Sequence, residues 1–165
     1  MESNLGKRIS ARLPRPISGI GYAGDRKVKR VELLSGKQFE VTFVPTTGSE
    51  DELIEAAYLA SLPDRSPEAQ AIYFGALCSG VRFNSVIPEE AESFFSDPGG
   101  RFSGMNISGR MIRKGALEII ERWILSTGGA IRAQARDLVA EIRNRGNHAI
   151  VVADHQRDLG VIEVR

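Results

Sequence analysis

The segment SGMNISGRMIRKGALEII, residues 103–120, carries the clearest local signal for the fold of this chain. It begins as two short extended runs, and the second run ends on Lys114 and Gly115. From Ala116 onward the apolar residues recur at helical spacing, which predicts a helix. Backbone N–H groups and the helix dipole favour an anion at such an entrance. The junction alone therefore predicts either a phosphate seat or an ordinary strand-to-helix connection with a solvated lysine.

Composition predicts one folded domain. The chain has 165 residues, of which 42% are hydrophobic and 26% charged, and this length can bury a single core. No apolar run approaches the roughly 18 residues of a membrane span, and the first residues lack the apolar core of a signal peptide. We therefore expect a cytoplasmic protein without a membrane span. The single cysteine, Cys78, excludes an intrachain disulfide and is expected to be a buried helix residue.

The charge distribution argues against a nucleic-acid partner. The net charge is +1, and the basic residues form two local clusters: Lys7, Arg8, Arg12 and Arg15, then Arg26, Lys27, Lys29 and Arg30. No aromatic residues are interleaved with them as a platform for bases. We expect a solvated arm and a basic, solvated edge strand.

Residues 1–24 are expected to form a flexible arm, because prolines and glycines interrupt any regular element. The domain proper should span residues 25–165 and begin with a hairpin of strands 28–34 and 38–44. Helices are predicted from Glu50, capped by Ser49, and from Pro67, capped by Ser66.

The remaining elements complete an α+β pattern. A strand region with a turn at residues 97–100 precedes the opening segment. Helices at 116–126 and 133–145 follow it, and a hairpin of strands 149–153 and 159–164 closes the chain. This order predicts a twisted antiparallel sheet of about six strands flanked by two helix pairs.

Four segments, in this order, carry a family resemblance: LASLPDRSPEAQAI (59–72), RFSGMNI (101–107), GRMIRKGA (109–116) and GVIEV (160–164). Together they resemble the nucleotide-binding domain of P-type cation-transporting ATPases, most of all the catalytic subunit of Kdp-type potassium pumps. GRMIRKGA is the most specific of the four. The resemblance implies a domain that binds ATP and presents it to a separate phosphorylation domain.

The resemblance implies a set of nucleotide-binding residues. Lys114 and Gly115 match the family's K-G, whose lysine lies beside the adenine ring rather than on phosphate. Ser103 and Gly104 match its S-G, and Glu68 matches a glutamate that accepts from the adenine amino group.

The position of the adenine-stacking ring is less direct. By counting back from Lys114, the family's stacking phenylalanine falls on Ser96, and a shift of one residue would put Phe95 there instead. Phe94 and Phe95 can also be explained as strand residues, of which at most one is buried because strand neighbours face opposite ways.

Other family features are missing from the sequence. The stretch that matches the phosphorylation motif DKTGT is PISGI, residues 16–20, with Pro16 in place of the aspartate. The magnesium-binding GDGxND loop, the TGE motif and the membrane helices are absent. Since phosphoryl transfer needs a carboxylate and Mg²⁺ ligands, we expect no catalysis by the chain alone and no bound metal. Weak binding of ATP is expected at most.

The implied partners are a P-type ATPase phosphorylation domain or potassium-pump subunits. Met1 and the unfamiliar arm favour a free-standing protein.

Two other functions stay open. The chain could be a regulatory or interaction module that has lost nucleotide binding. It could also be an enzyme or metal site built on His148, Asp154 and His155, although their spacing and the lack of a further ligand favour solvated side chains.

Overall fold

A computed structural model describes residues 21–23, 26–83, 86–96 and 102–165. The elements, in chain order, are β1 (Gly21–Ala23), β2 (Arg26–Glu32), β3 (Gln38–Pro45), α1 (Glu50–Ser61), α2 (Pro67–Leu77), β4 (Glu92–Ser96), β5 (Phe102–Ile107), β6 (Arg110–Gly115), α3 (Leu117–Ser126), α4 (Ala133–Asn144), β7 (His148–Asp154) and β8 (Arg157–Val164). The strands pair antiparallel in the order β1-β2-β3-β8-β7-β6-β5-β4. The predicted α+β fold is confirmed, with eight strands in the described part instead of about six.

Local signals set the ends of the first two helices. The Ser49 side chain accepts a hydrogen bond from the Glu52 N–H at 3.2 Å, and Ser66 accepts from the Ala69 N–H at 3.2 Å. Each serine satisfies one of the N–H groups that a helix start leaves open. Both predicted caps are confirmed.

The sheet has an apolar cluster on each face. Leu53, Ile72 and other residues of α1 and α2 pack with alternate strand residues such as Ile112 and Ile162. Ile124 and Val139 of α3 and α4 pack with the intervening residues, such as Val151, on the other face. Since strand neighbours point to opposite faces, this alternation explains how one sheet carries two helix pairs, as predicted.

Three local predictions were wrong. Gly21–Ala23, inside the predicted arm, forms β1 and pairs with β2, so β2 is not the edge of the sheet. Lys29, expected on a solvated strand, is buried. Cys78 is exposed, because α2 ends at Leu77 and the cysteine is its C-cap.

Several predictions fall outside the described residues: the rest of the arm with PISGI and the first basic cluster, and the turn at 97–100. Among the described helices, none is long and apolar enough to cross a bilayer.

Candidate functional site

Three of the predicted site residues lie in one row across the sheet. The pairing of β4, β5 and β6 sets Phe95 opposite Ser103 and Ser103 opposite Lys114. Directly opposed residues of antiparallel strands share a face. This row lies on the face covered by α1 and α2, because the Ser103 hydroxyl donates to the Ala60 carbonyl of α1 at 2.7 Å.

Phe95 is the aromatic residue of this row. Ser96 pairs with Phe102 and therefore points to the opposite face. The Phe95 side chain is 50% exposed, so its ring is open to a flat ligand. The register thus aligns Phe95, and not Ser96, with Lys114.

Lys114 is buried and paired. Its ammonium lies 2.9 Å from Asp64 Oδ2, and the two side chains are only 4% and 2% exposed. Burial raises the pKa of Asp64, but hydrogen bonds from Lys114 and from the Ser66 N–H outweigh burial and leave that pKa below its ordinary value. An ammonium held in this way is not available to bind phosphate, and it is not the solvated lysine of the other prediction for the junction either.

Asp64 was not singled out from the sequence, although it stands inside the quoted segment 59–72. It lies 50 residues from Lys114, and no local spacing links the two. Only the packing of the α1–α2 connection over β6 brings them together.

Glu68 occupies the first turn of α2 and contacts the start of β7. Its Oε2 lies 2.5 Å from Nδ1 of His148. The His148 side chain is 67% exposed, whereas that of Glu68 is 13% exposed. The histidine, expected to be merely solvated, therefore belongs to the surroundings of a predicted site residue.

A small cleft opens beside these residues, with a volume of about 280 Å³. It is lined by Glu68, Lys114, Gly115, Ala116, Arg143, Asn147, His148, Ala149 and Ile150. Arg143 donates to Glu118 Oε1 at 2.7 Å. All three basic residues of this lining therefore already have a carboxylate partner.

Gly104 lies on the opposite face from the Phe95 row. It is set opposite Phe94 on one side and Arg113 on the other. A Cβ at this position would lie 2.0 Å from the Ile112 carbonyl oxygen and 2.7 Å from Arg113 Cδ. The structure therefore does not bring Gly104 into the Phe95 row. The close approach of β6 explains why this position has no side chain.

His148 is not brought to Asp154 and His155, whereas the latter two are neighbours, with His155 Nε2 4.0 Å from Asp154 Oδ1. His148 begins β7 and Asp154 ends it, which separates them by about 20 Å along an extended strand. Asp154 accepts hydrogen bonds from the Met111 N–H at 3.2 Å and from Arg110 Nε at 3.0 Å. In the part of the chain that the structure describes, no group of three acidic, histidine or cysteine residues could hold a metal.

Comparison with known sequences gives one consistent set of relatives. No protein-family model matches the chain. A "Potassium-transporting ATPase ATP-binding subunit" of Dechloromonas aromatica is 37% identical over 152 residues, 88% of this chain and 22% of the relative. The protein of the same name from Clostridium botulinum is 33% identical over the same shares. That of Erwinia tasmaniensis is 31% identical over all of this chain and 25% of its own length. The chain thus spans about a quarter of these relatives.

Solved structures show the same architecture. A zinc-transporting PIB-type ATPase in the E2.Pi state superimposes with a TM-score of 0.56 and 25% identity, over 79% of this chain and 19% of the transporter. The N-domain of HMA8, a copper-transporting P-type ATPase, gives 0.52 over 73% of this chain and 93% of that domain. At 18% identity, the second likeness shows the fold alone.

Proposed function

Since the chain belongs to the nucleotide-binding domains of P-type ATPases, we propose that it binds ATP weakly through the adenine ring. We place the site on the sheet face that holds Phe95, Ser103 and Lys114. The alignment of these three residues in one cross-strand row is the observation that carries the proposal.

Phe95, Glu68 and Lys114 each have a chemical role in this proposal, whereas the buried Ser103 holds β5 against α1 through its bond to Ala60. The exposed ring of Phe95 stacks on adenine, and such stacking contributes about 1–3 kcal/mol per base. Glu68 accepts from the adenine amino group. Lys114, held by Asp64 at 2.9 Å, forms the floor of the pocket with Gly115. We exclude Gly104 from direct contact because its face is the opposite one.

The charges of the site support weak binding. A triphosphate gains most from cations that have no partner in the apo protein. Lys114, Arg143 and His148, the basic residues of the cleft, each already contact a carboxylate. Adenine contacts then supply most of the affinity, which we expect near the millimolar level, about −4 kcal/mol.

We further propose that the chain has no catalytic activity of its own and binds no metal. Pro16 stands where the family's phosphorylated aspartate is expected, and a proline supplies no carboxylate nucleophile. We assign residues 25–165, together with the strand Gly21–Ala23 that pairs with them, to the nucleotide domain. ATP bound here would serve a cytoplasmic phosphorylation domain of a P-type ATPase. The relatives' names make a potassium pump the first candidate.

The variant Phe95→Ala tests the stacking role. We expect the Kd for ATP to rise about 5- to 150-fold, because the stacking contribution of about 1–3 kcal/mol is lost. Isothermal titration or ¹⁵N-detected NMR titration of the full chain would measure it. An unchanged Kd would remove Phe95 from the site.

The matched control is Ser96→Phe. If Ser96 held the stacking position, an added ring there would tighten ATP binding. Because Ser96 pairs with Phe102 on the other face, we expect the Ser96→Phe variant to bind ATP with the wild-type Kd.

A further inference from the structure

Arg113 is a buried arginine directly behind the Phe95 row. It precedes Lys114 on β6 and points to the opposite face, where it is 4% exposed. Its Nη1 donates to Asn106 Oδ1 at 2.9 Å and to the Ile112 carbonyl at 2.8 Å. Both acceptors are neutral groups, so neither hydrogen bond pairs the guanidinium with a carboxylate.

Three aromatic rings surround the guanidinium. Its carbon lies 4.1 Å from the ring centroid of Phe94, 5.2 Å from that of Trp123 and 5.9 Å from that of Phe102. Distances within about 6 Å allow cation–π attraction, which is stronger when the pair is desolvated. The Phe94 contact is the shortest, and it connects β6 to β4 across the intervening β5.

This contact matters because β4 is the last strand of the described sheet, paired only with β5. Successive side chains of a strand point to opposite faces. A contact that holds Phe94 on the Arg113 face therefore holds Phe95 on the Lys114 face. Most of β4 is exposed, so the Arg113–Phe94 contact is a side-chain anchor for β4 in addition to its backbone pairing with β5.

We propose that Arg113 is a positioning residue for the nucleotide site: through Phe94 it holds β4 and directs Phe95 into the Lys114 row. The inference rests on the proposed adenine site. It assigns no contact between Arg113 and ATP, since the two lie on opposite faces of the sheet.

A double-mutant cycle tests this role. We expect Arg113→Met to raise the Kd for ATP about tenfold, because a poorly held Phe95 loses much of its stacking. In a Phe95→Ala background, Arg113→Met should cause no further loss. General damage to the fold would instead weaken ATP binding in both backgrounds.

Two further measurements accompany the cycle. Trp123 is the only tryptophan, so its fluorescence should change in Arg113→Met and report directly on the aromatic cluster. Arg136→Met, which removes an exposed arginine paired with Glu121, is the matched control and should leave the Kd unchanged.

The outcomes separate the two proposals. If Phe95→Ala weakens ATP binding while Arg113→Met does not, the positioning role is wrong and the adenine site stands. If Phe95→Ala leaves the Kd for ATP unchanged, the proposed adenine site is wrong, and the positioning role of Arg113 is then wrong as well. Should Arg113→Met fail to fold, Phe94→Leu removes the ring and keeps the arginine. A raised Kd for ATP in Phe94→Leu supports the inference, and a wild-type Kd overturns it.

Discussion

Replacing Asp64 with alanine should lower the free energy of unfolding by about 3–5 kcal/mol, because it leaves a buried charge without a partner. Lys114 is only 4% exposed and lies 2.9 Å from the Asp64 carboxylate. Asp64 also accepts the Ser66 N–H at 2.9 Å, so the variant loses a second hydrogen bond at the start of α2. Urea unfolding followed by circular dichroism would measure the change.

A surface pair provides the control for this prediction. Glu141 is paired with Arg145 one helical turn away, and its side chain is 55% exposed. Glu141→Ala should cost at most about 1 kcal/mol. The double variant Asp64→Ala/Lys114→Met should recover part of the loss, since a buried pair can often be replaced by apolar groups. If Asp64→Ala lowered the free energy of unfolding by as little as Glu141→Ala does, the account of the Asp64–Lys114 pair would be contradicted.

The same pair predicts a pH dependence. The pKa of Asp64 is lowered in the folded protein: burial raises this pKa, but the hydrogen bonds from Lys114 and Ser66 lower it by more. The folded state therefore binds the Asp64 proton less tightly than the unfolded state does. The stability from this carboxylate is complete above the unfolded pKa of about 3.9 and is lost as pH falls through the lower folded value. The stability difference between wild type and Asp64→Ala should thus be constant from pH 7 to about 5 and shrink below about 4.

Gly104→Ala should destabilise the fold by about 3 kcal/mol, the upper part of the range for an overpacked core. The added Cβ would lie 2.0 Å from a backbone oxygen, that of Ile112, which cannot move without distorting β6. It would also press on Arg113 Cδ at 2.7 Å. The melting temperature by calorimetry would report the loss.

Gly75→Ala is the matched control for this substitution. Its Cβ would meet only Val41 side-chain atoms at 3.3 Å or more, and the alanine gains about 1 kcal/mol of helix propensity within α2. We expect a change in stability below about 1 kcal/mol. If Gly104→Ala and Gly75→Ala had similar stabilities, the proposed steric conflict between a Cβ at position 104 and the Ile112 carbonyl would be contradicted.

Sequence reasoning succeeded where the determinants are local. The Ser49 and Ser66 caps, the hairpin of β2 and β3, and the junction at Lys114 all follow from residues within a few positions of one another. The resemblance to P-type ATPase nucleotide domains also rested on short segments. The similarity to potassium-transporting ATPase subunits and the fold shared with a P-type ATPase structure agree with that resemblance.

Non-local contacts were beyond such reasoning. Strand register decides whether Phe95 or Ser96 shares a row with Lys114, and a one-residue shift exchanges them. The pairs Lys114–Asp64 and His148–Glu68 join residues 50 and 80 positions apart. β1 was missed because glycine and proline near Gly21 resemble those of a loop, and only pairing with β2 makes it a strand.

The central claim is that ATP binds through adenine on the face of Phe95, Ser103 and Lys114. The most direct measurement is an NMR titration of the full ¹⁵N-labelled chain with ATP, and with GTP as a matched ligand. At C6, GTP has a carbonyl oxygen in place of the adenine amino group from which Glu68 would accept a hydrogen bond. We predict saturable shifts for ATP centred on Glu68, Phe95, Ser103 and Lys114, with much weaker shifts for GTP. The absence of saturable shifts with ATP up to several millimolar would contradict the account and favour a domain that keeps this fold without binding nucleotide.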